Sequence, residues 1–400
     1  MNSLQISKVY FASPTITKPT SLKLADILNK ITLVLLFLFL FSSNVNSQTD
    51  STNFNLSYRI LLIGDAGNPI KERQEPVLSA LQKQLSIYPS KTTVVFLGDN
   101  IYPDGMPPKQ SPERKEAERR LNEQIKTIVN SNSNGIFIPG NHDWNNGDDD
   151  GWDRIKSVDK YIIDKKLNNV IMLPHNGCPG PEVVDLGEKI RLIIIDTDWW
   201  LNGDVQANKD NSKCNPGDEQ SILDSLRSAL KNKGKRFVII AAHHPLESYG
   251  VHGGYFNWKQ HIFPLRDLNN SLWIPLPVIG SLYPILRKSG ISSQDLSSDE
   301  YRNMIKKIEA VLSKYSDWIY AGGHEHSLQV LKGINNNLYL VSGFGTFEHD
   351  EYLTEGDKTI FAALEPGFMQ LDFNNDGSVI LSVISGKTGV PKEIFIMNLK

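Results

Sequence analysis

From Tyr58 onward, short apolar runs alternate with amphipathic stretches. "YRILLIGD" (58–65), "TTVVFLGD" (92–99) and "GIFIPG" (135–140) read as buried strands. Between them, "KERQEPVLSALQKQLSIY" (71–88) and "PERKEAERRLNEQIKTIVN" (112–130) carry apolar residues at helical spacing. The alternation continues through "RLIIIDT" (191–197), a helical stretch at 217–232, "RFVIIAAH" (236–243) and a second at 299–315. Strands interleaved with helices predict βαβ units and a mostly parallel sheet. Five further apolar segments follow with short breaks, from "WIYAGG" (318–323) to "SVILSVIS" (378–385), and read as an antiparallel run. The fold class this predicts is α/β with mixed α+β character: two mixed sheets packed face to face and flanked by helices.

Two regions break the rhythm. Residues 253–298, rich in Pro, Trp and Tyr, read as a loop-rich insertion packed on the domain surface. Near the N-terminus, Ile31 to Phe41 is an apolar run too short for a membrane-spanning helix. Lys18, Lys23 and Lys30 precede it, and small residues around Ser47 follow. This is the layout of a secretory signal over 1–47, with the folded domain at 58–400. The chain is then expected to be secreted or periplasmic, without a stable membrane span once the signal is removed, or membrane-anchored if it is not cleaved. In an oxidising compartment Cys178 and Cys214, both in Gly/Pro-rich loops, are candidates for a disulfide.

At 400 residues with 40% hydrophobic and 22% charged positions, the composition is that of a folded globular protein. A net charge of −3 and the lack of a long basic run argue against a nucleic-acid or anionic-membrane binder. Oligomeric state does not follow from the sequence.

The chemistry lies at the strand ends. Asp65, Asp99, Asn141 with His142, His243 with His244, and His324 with His326 each follow an apolar run. In α/β sheets the carboxyl ends of strands border the ligand crevice. One Asp or Asn after a strand is ordinary turn chemistry; five such ends point to a shared site. Carboxylate, amide oxygen and imidazole, with no thiolate, are hard or borderline metal donors, numerous enough for two ions. Two adjacent ions suit phosphoester hydrolysis.

In order, GDxG, GDxxY, GNHD, AxHxP and GHxH resemble the calcineurin-like metallophosphoesterases, and more narrowly the small, single-domain purple acid phosphatases. Most of that superfamily has GDxH at the first motif; here Gly67 takes the histidine's place, and Tyr102 follows Asp99 by three residues, as in the purple acid phosphatases. The resemblance implies Fe(III) held by Asp65, Asp99, Tyr102 and His326, and a divalent Fe, Zn or Mn ion held by Asp99, Asn141, His243 and His324. It implies hydrolysis of a small phosphorylated substrate, a phosphate monoester, by a metal-bound hydroxide, with His142, and secondarily His252, protonating the leaving group. Too few residues separate the expected cleavage site from the first strand for the β-sandwich of the large plant-type members.

A phosphodiesterase acting on nucleotides or lipids is an alternative, as is a binding protein on a phosphatase scaffold. His244 is expected to point to the opposite side of its strand. Trp199 and Trp200 read as packing, 145–153 as an acidic solvated loop, and "DFNNDGSV" (372–379) as a hairpin turn. Asp143 is a candidate to orient His142 or a neighbouring loop.

Overall fold

The computed structural model describes residues 56–202, 214–215, 217–267, 271–346 and 352–400. The expected signal segment lies outside them. Two seven-stranded mixed sheets form the centre. The first has the order β14-β13-β12-β1-β2-β3-β4. Its parallel half is β1 (Leu56–Ile63), β2 (Thr92–Phe96), β3 (Asn134–Phe137) and β4 (Val170–Met172). Its antiparallel half is β12 (Gly367–Asn374), β13 (Val379–Ser385) and β14 (Lys392–Asn398). The second sheet has the order β11-β9-β10-β8-β7-β6-β5. It contains β5 (Glu182–Leu186), β6 (Ile190–Ile194), β7 (Phe237–Ala241), β8 (Trp318–Gly322), β9 (Leu328–Lys332), β10 (Leu338–Ser342) and β11 (Thr359–Ala363).

The period-two alternation of strand side chains builds two cores at once. Ile60, Leu62 and Val95 of one sheet join Leu192, Ile239 and Ile319 of the other in the core between the sheets. The intervening residues face outward: Leu61, Ile63 and Phe96 against α1 (Pro76–Leu85) and α2 (Arg114–Ser131), and Ile193, Ile240 and Tyr320 against α5 (Glu219–Lys231) and α8 (Asp299–Leu312). Strands that are apolar on both faces are required by a sheet covered on both sides. The remaining helices are α3 (Gly151–Asp164), α4 (Asp198–Leu201), α6 (Trp258–Ile262) and α7 (Leu282–Lys288). Among the described residues, no helix is long and apolar enough to cross a membrane.

Two expectations need correction. β10 runs parallel to β8, so the C-terminal strands are not a continuous antiparallel run. The acidic stretch at 145–153 is not wholly a solvated loop: Asn145 and Trp152 are buried and α3 begins at Gly151. The 253–298 segment holds two short helices, α6 and α7, between its loops. The hairpin between β12 and β13 is present, and Cys178 is disulfide-bonded to Cys214. Trp199 and Trp200 are buried as packing, edge to face at 5.9 Å.

Candidate metal centre

The loops after β1, β2, β3, β7 and β8 meet at one edge of the sandwich. Each contributes a polar side chain, and three of these backbones are strained: Asp65, Asp99 and His324 have φ of 58°, 54° and 65°. A left-handed conformation is uncommon outside glycine, and strain of this kind clusters at functional sites. Glycines make the close approach possible. A Cβ on Gly98, which has φ +92°, would lie 2.4 Å from His243 Nδ1. A Cβ on Gly67 would lie 2.4 Å from the carbonyl carbon of Asn100. No side chain fits at 67 with this loop packing, so the space that a first-motif histidine would need is closed. Tyr102 reaches the same carboxylates from the second loop.

The donor atoms fall into two sets. Tyr102 Oη lies 3.1 Å from Asp65 Oδ1, from Asp99 Oδ2 and from His326 Nε2, and His326 Nε2 lies 3.4 Å from Asp65 Oδ1. Asn141 Oδ1 lies 2.9 Å from His243 Nε2 and 3.0 Å from His324 Nδ1, and His243 Nε2 lies 3.4 Å from Asp99 Oδ1. Asp99 therefore offers one oxygen to each set. Ligands at about 2.0–2.2 Å from a tetrahedral ion lie about 3.3–3.6 Å apart, close to these spacings. Carboxylate, phenol, amide and imidazole donors fit hard or borderline ions.

The electrostatics also call for cations. Burial, then the Asp65 and Asp99 carboxylates, push the Tyr102 phenol well above its ordinary range; a phenolate there requires a positive charge beside it. Burial works against the charged forms of Asp99 and His243, yet each stabilises the other. Asp99 is lowered and His243 raised to about 10. An ion bound by His243 takes the place of that proton. Burial, then the neighbouring His252, His244 and His243, lower His324 well below the usual histidine range, leaving the neutral ring that ligation needs.

A second layer sets the orientations. His243 Nδ1 donates to Leu97 O at 2.7 Å, leaving Nε2 for the site. His324 Nε2 donates to Gln294 O at 2.8 Å, leaving Nδ1. Asp143 accepts from the backbone N–H groups of Asn100, Ile101 and Gly140 and from Asn100 Nδ2. It ties the loop of Asp99 to the loop of Asn141 rather than holding the His142 ring, and burial, then Asp99, raise it to about 7. His142 donates its backbone N–H to Asp99 Oδ1 at 3.0 Å and its Nδ1 contacts Pro103 O at 2.5 Å. Its Nε2 is left 4.0 Å from Asp99 Oδ2.

His252 lies outside both donor sets. Its ring centroid lies 4.0 Å from that of His324 with the planes tilted by 40°, and its Nδ1 lies 3.0 Å from Asp295 Oδ1. His244 does not point away, as its place in the strand suggested. Its ring centroid is 4.5 Å from that of His324, and its nitrogens contact Thr197 Oγ1 and Gln294 Oε1. With both nitrogens engaged, it supports the centre from the side.

Sequence reading missed Glu325 and Gln294. Glu325 is buried and accepts from Ser248 Oγ and from the N–H groups of Val251 and His252, fixing the loop that carries His252. A carboxylate between two candidate ligands in "HEH" was the available signal. Gln294 acts partly through its backbone oxygen, for which a sequence carries none.

A family model for calcineurin-like phosphoesterases matches residues 58–328. The chain belongs to this family. Metallophosphoesterases of this kind bind two metal ions, in keeping with two donor sets joined by one carboxylate. Among solved structures, "GAP50 the anchor in the inner membrane complex of Plasmodium" is 18% identical with a TM-score of 0.51, over 86% of this chain and 89% of that one. A purple acid phosphatase, PPD1, from yellow lupin (Lupinus luteus) seeds is 14% identical with a TM-score of 0.49, over 85% of this chain and 53% of that one. PhoD is 10% identical with a TM-score of 0.47, over 85% and 68%. At these identities the likeness concerns the fold. No curated protein matched the chain by sequence.

Proposed function

We propose that this calcineurin-like phosphoesterase is an exported phosphatase that hydrolyses phosphate monoesters at a binuclear centre of the purple acid phosphatase kind. The observation that carries the reading is Tyr102 Oη, equidistant at 3.1 Å from Asp65, Asp99 and His326. With two carboxylates and a phenolate, this set suits a trivalent ion such as Fe(III). The set of Asn141, His243, His324 and the shared Asp99 is mostly neutral and suits a divalent Fe, Zn or Mn ion. When bound, the ions lower the pKa of coordinated water and hold the phosphoryl oxygens. The protein's own part is to fix both sets through Asp99, to orient His243 and His324 by backbone carbonyls, and to present His142 Nε2 beside the centre as proton donor. His252, whose ring lies beside that of His324, is the second candidate for that role. Export over a 1–47 signal is part of the proposal, supported by the apolar run Ile31 to Phe41 and by the Cys178–Cys214 bond.

Two measurements test it. Metal-loaded protein should hydrolyse p-nitrophenyl phosphate faster than bis(p-nitrophenyl) phosphate; a strong preference for the diester would favour the phosphodiesterase reading. With iron loaded under oxidising conditions, the protein should show a visible phenolate-to-iron band that Tyr102→Phe loses while keeping its fold. A band that survives the substitution returns Tyr102 to a packing role, which its hydroxyl would support by only about 0.5–1.5 kcal/mol. GAP50, an anchor in the inner membrane complex of Plasmodium, shares the fold and raises a second reading in which the scaffold binds without catalysis. Complete donor sets oppose it, and absence of turnover on every phosphoester with both ions bound would establish it.

A further inference from the structure

Exposed apolar side chains are concentrated in one segment. Among the described residues, eleven of the twenty exposed large hydrophobics lie between Tyr255 and Ile291. Val278, Ile279 and Trp258 are 86%, 70% and 65% exposed. Leu282, Ile285 and Leu286 of α7 are exposed at i, i+3 and i+4, one outward helical face. These elements pack together as one cap: Leu276 N–H donates to Ile262 O at 2.7 Å, His261 Nδ1 contacts Ser281 Oγ at 3.2 Å, and the Phe263 and Trp273 rings meet edge to face at 5.3 Å. Val278 sits at the cap's tip with φ 71°, a conformation a β-branched residue rarely adopts.

The charge of the cap is opposite to that of the chain. Residues 255–265 and 271–291 contain Lys259, Arg287 and Lys288 and no acid, with Arg287 paired to Asp295 beyond them, whereas the whole chain carries −3. Lys259 and Lys288 are exposed beside the apolar residues. Protruding aliphatic and tryptophan side chains bordered by lysines match the boundary of a bilayer, where tryptophan rings sit at headgroup level and ammonium groups meet anionic lipid. A symmetric pairing of two copies through this face would set two patches of the same charge against each other. A concentration of exposed apolar side chains on a folded domain marks an interaction site.

We propose that the cap formed by 255–267 and 271–291 seats on an anionic lipid surface, with Val278 and Ile279 entering the interface and Lys259 and Lys288 at headgroup level. Arg287, through its Nε bond to Asp295 Oδ2 at 2.9 Å, joins α7 to the segment whose Gln294 O holds His324, so the lipid contact is built on the same insertion that supports the centre. The global charge excludes a broad electrostatic footprint on membranes but not this local one.

The test uses a probe at the tip. Since the two native cysteines are bonded to each other, Val278→Cys in the full chain offers one thiol for the environment-sensitive dye NBD. Adding phosphatidylcholine vesicles containing phosphatidylserine should shift its emission to the blue and raise its intensity, and lipid-borne quenchers should quench it. High salt, or Lys259→Glu with Lys288→Glu, should weaken the shift. The readout is local, so binding of vesicles through the apolar run at 31–41 does not mimic it. No change at position 278 on vesicles that bind the protein overturns the proposal. So does a blue shift that needs no lipid: if it grows with protein concentration a second copy is the occupant, and if it vanishes on removing residues 1–47 the occupant is the chain's own N-terminal segment.

Discussion

Asp99→Asn should remove both ions and reduce phosphoester hydrolysis by on the order of 10³-fold or more. The size follows from the several kcal/mol of charge stabilisation that metal ions supply, at 1.36 kcal/mol per tenfold. The two carboxylate oxygens of Asp99 divide between the sets: Oδ2 lies 3.1 Å from Tyr102 Oη and Oδ1 3.4 Å from His243 Nε2. Asparagine keeps the shape but not the charge, and its amide offers only one ligating oxygen. One set therefore loses its donor outright, and the other exchanges a carboxylate for a neutral oxygen. The fold should survive, because Asp99 has φ 54° and asparagine tolerates that region as well as aspartate does. The comparison that isolates the bridge is Asn141→Ala, which touches only the second set and should cost one ion. Metal content per chain, measured on purified protein, decides between them. If Asp99→Asn retained one ion at full occupancy and the other set alone were emptied, Asp99 would be a ligand of one site and not a bridge.

The strand ends carrying the donor residues were legible in the sequence because their signal is local. A run such as "VVFLGD" declares a strand, a glycine and a polar side chain within a few residues. The edge strands gave no such signal. β5 and β14 are half-exposed with burial on neither face complete, so "EVVDL" and "KEIFIMN" do not stand out from loop. The pairing of β10 beside β8 is a tertiary choice made by the core, and runs of Leu, Val and Tyr serve parallel and antiparallel neighbours equally. Start signals mattered too. α3 opens behind "DDDG", a stretch that favours turns. At the site, the side chains that face the centre were visible as types; their orientation was not. That His243 turns Nε2 and His324 turns Nδ1 toward the donor sets depends on which carbonyl each ring meets, Leu97 in one case and Gln294 in the other. The reach of the 253–298 insertion into the centre depends on a fold-level contact between segments thirty residues apart along the chain.

His142→Ala should leave both ions in place and lower the rate by on the order of 10²–10⁴-fold, the usual worth of a positioned acid. His142 supplies no atom to either donor set, so metal content should match the wild type. Its ring is nevertheless placed with care. The backbone N–H is held by Asp99 Oδ1, Nδ1 by Pro103 O, and the ring lies 4.4 Å from that of Tyr102. What remains is Nε2, 4.0 Å from Asp99 Oδ2 on a side chain that is 29% exposed, within reach of both the centre and an arriving ester. A proton donor matters most when the departing oxygen is a poor leaving group. Alkyl phosphates should therefore lose far more rate than p-nitrophenyl phosphate in the variant. His252→Ala provides the contrast: its ring packs against that of His324 at 4.0 Å and its Nδ1 meets Asp295, so its loss should be smaller and should weaken binding of the divalent ion as well. Equal losses across leaving groups for His142→Ala would assign that ring to holding the substrate. A leaving-group dependence that moved instead to His252→Ala would transfer the role of acid there.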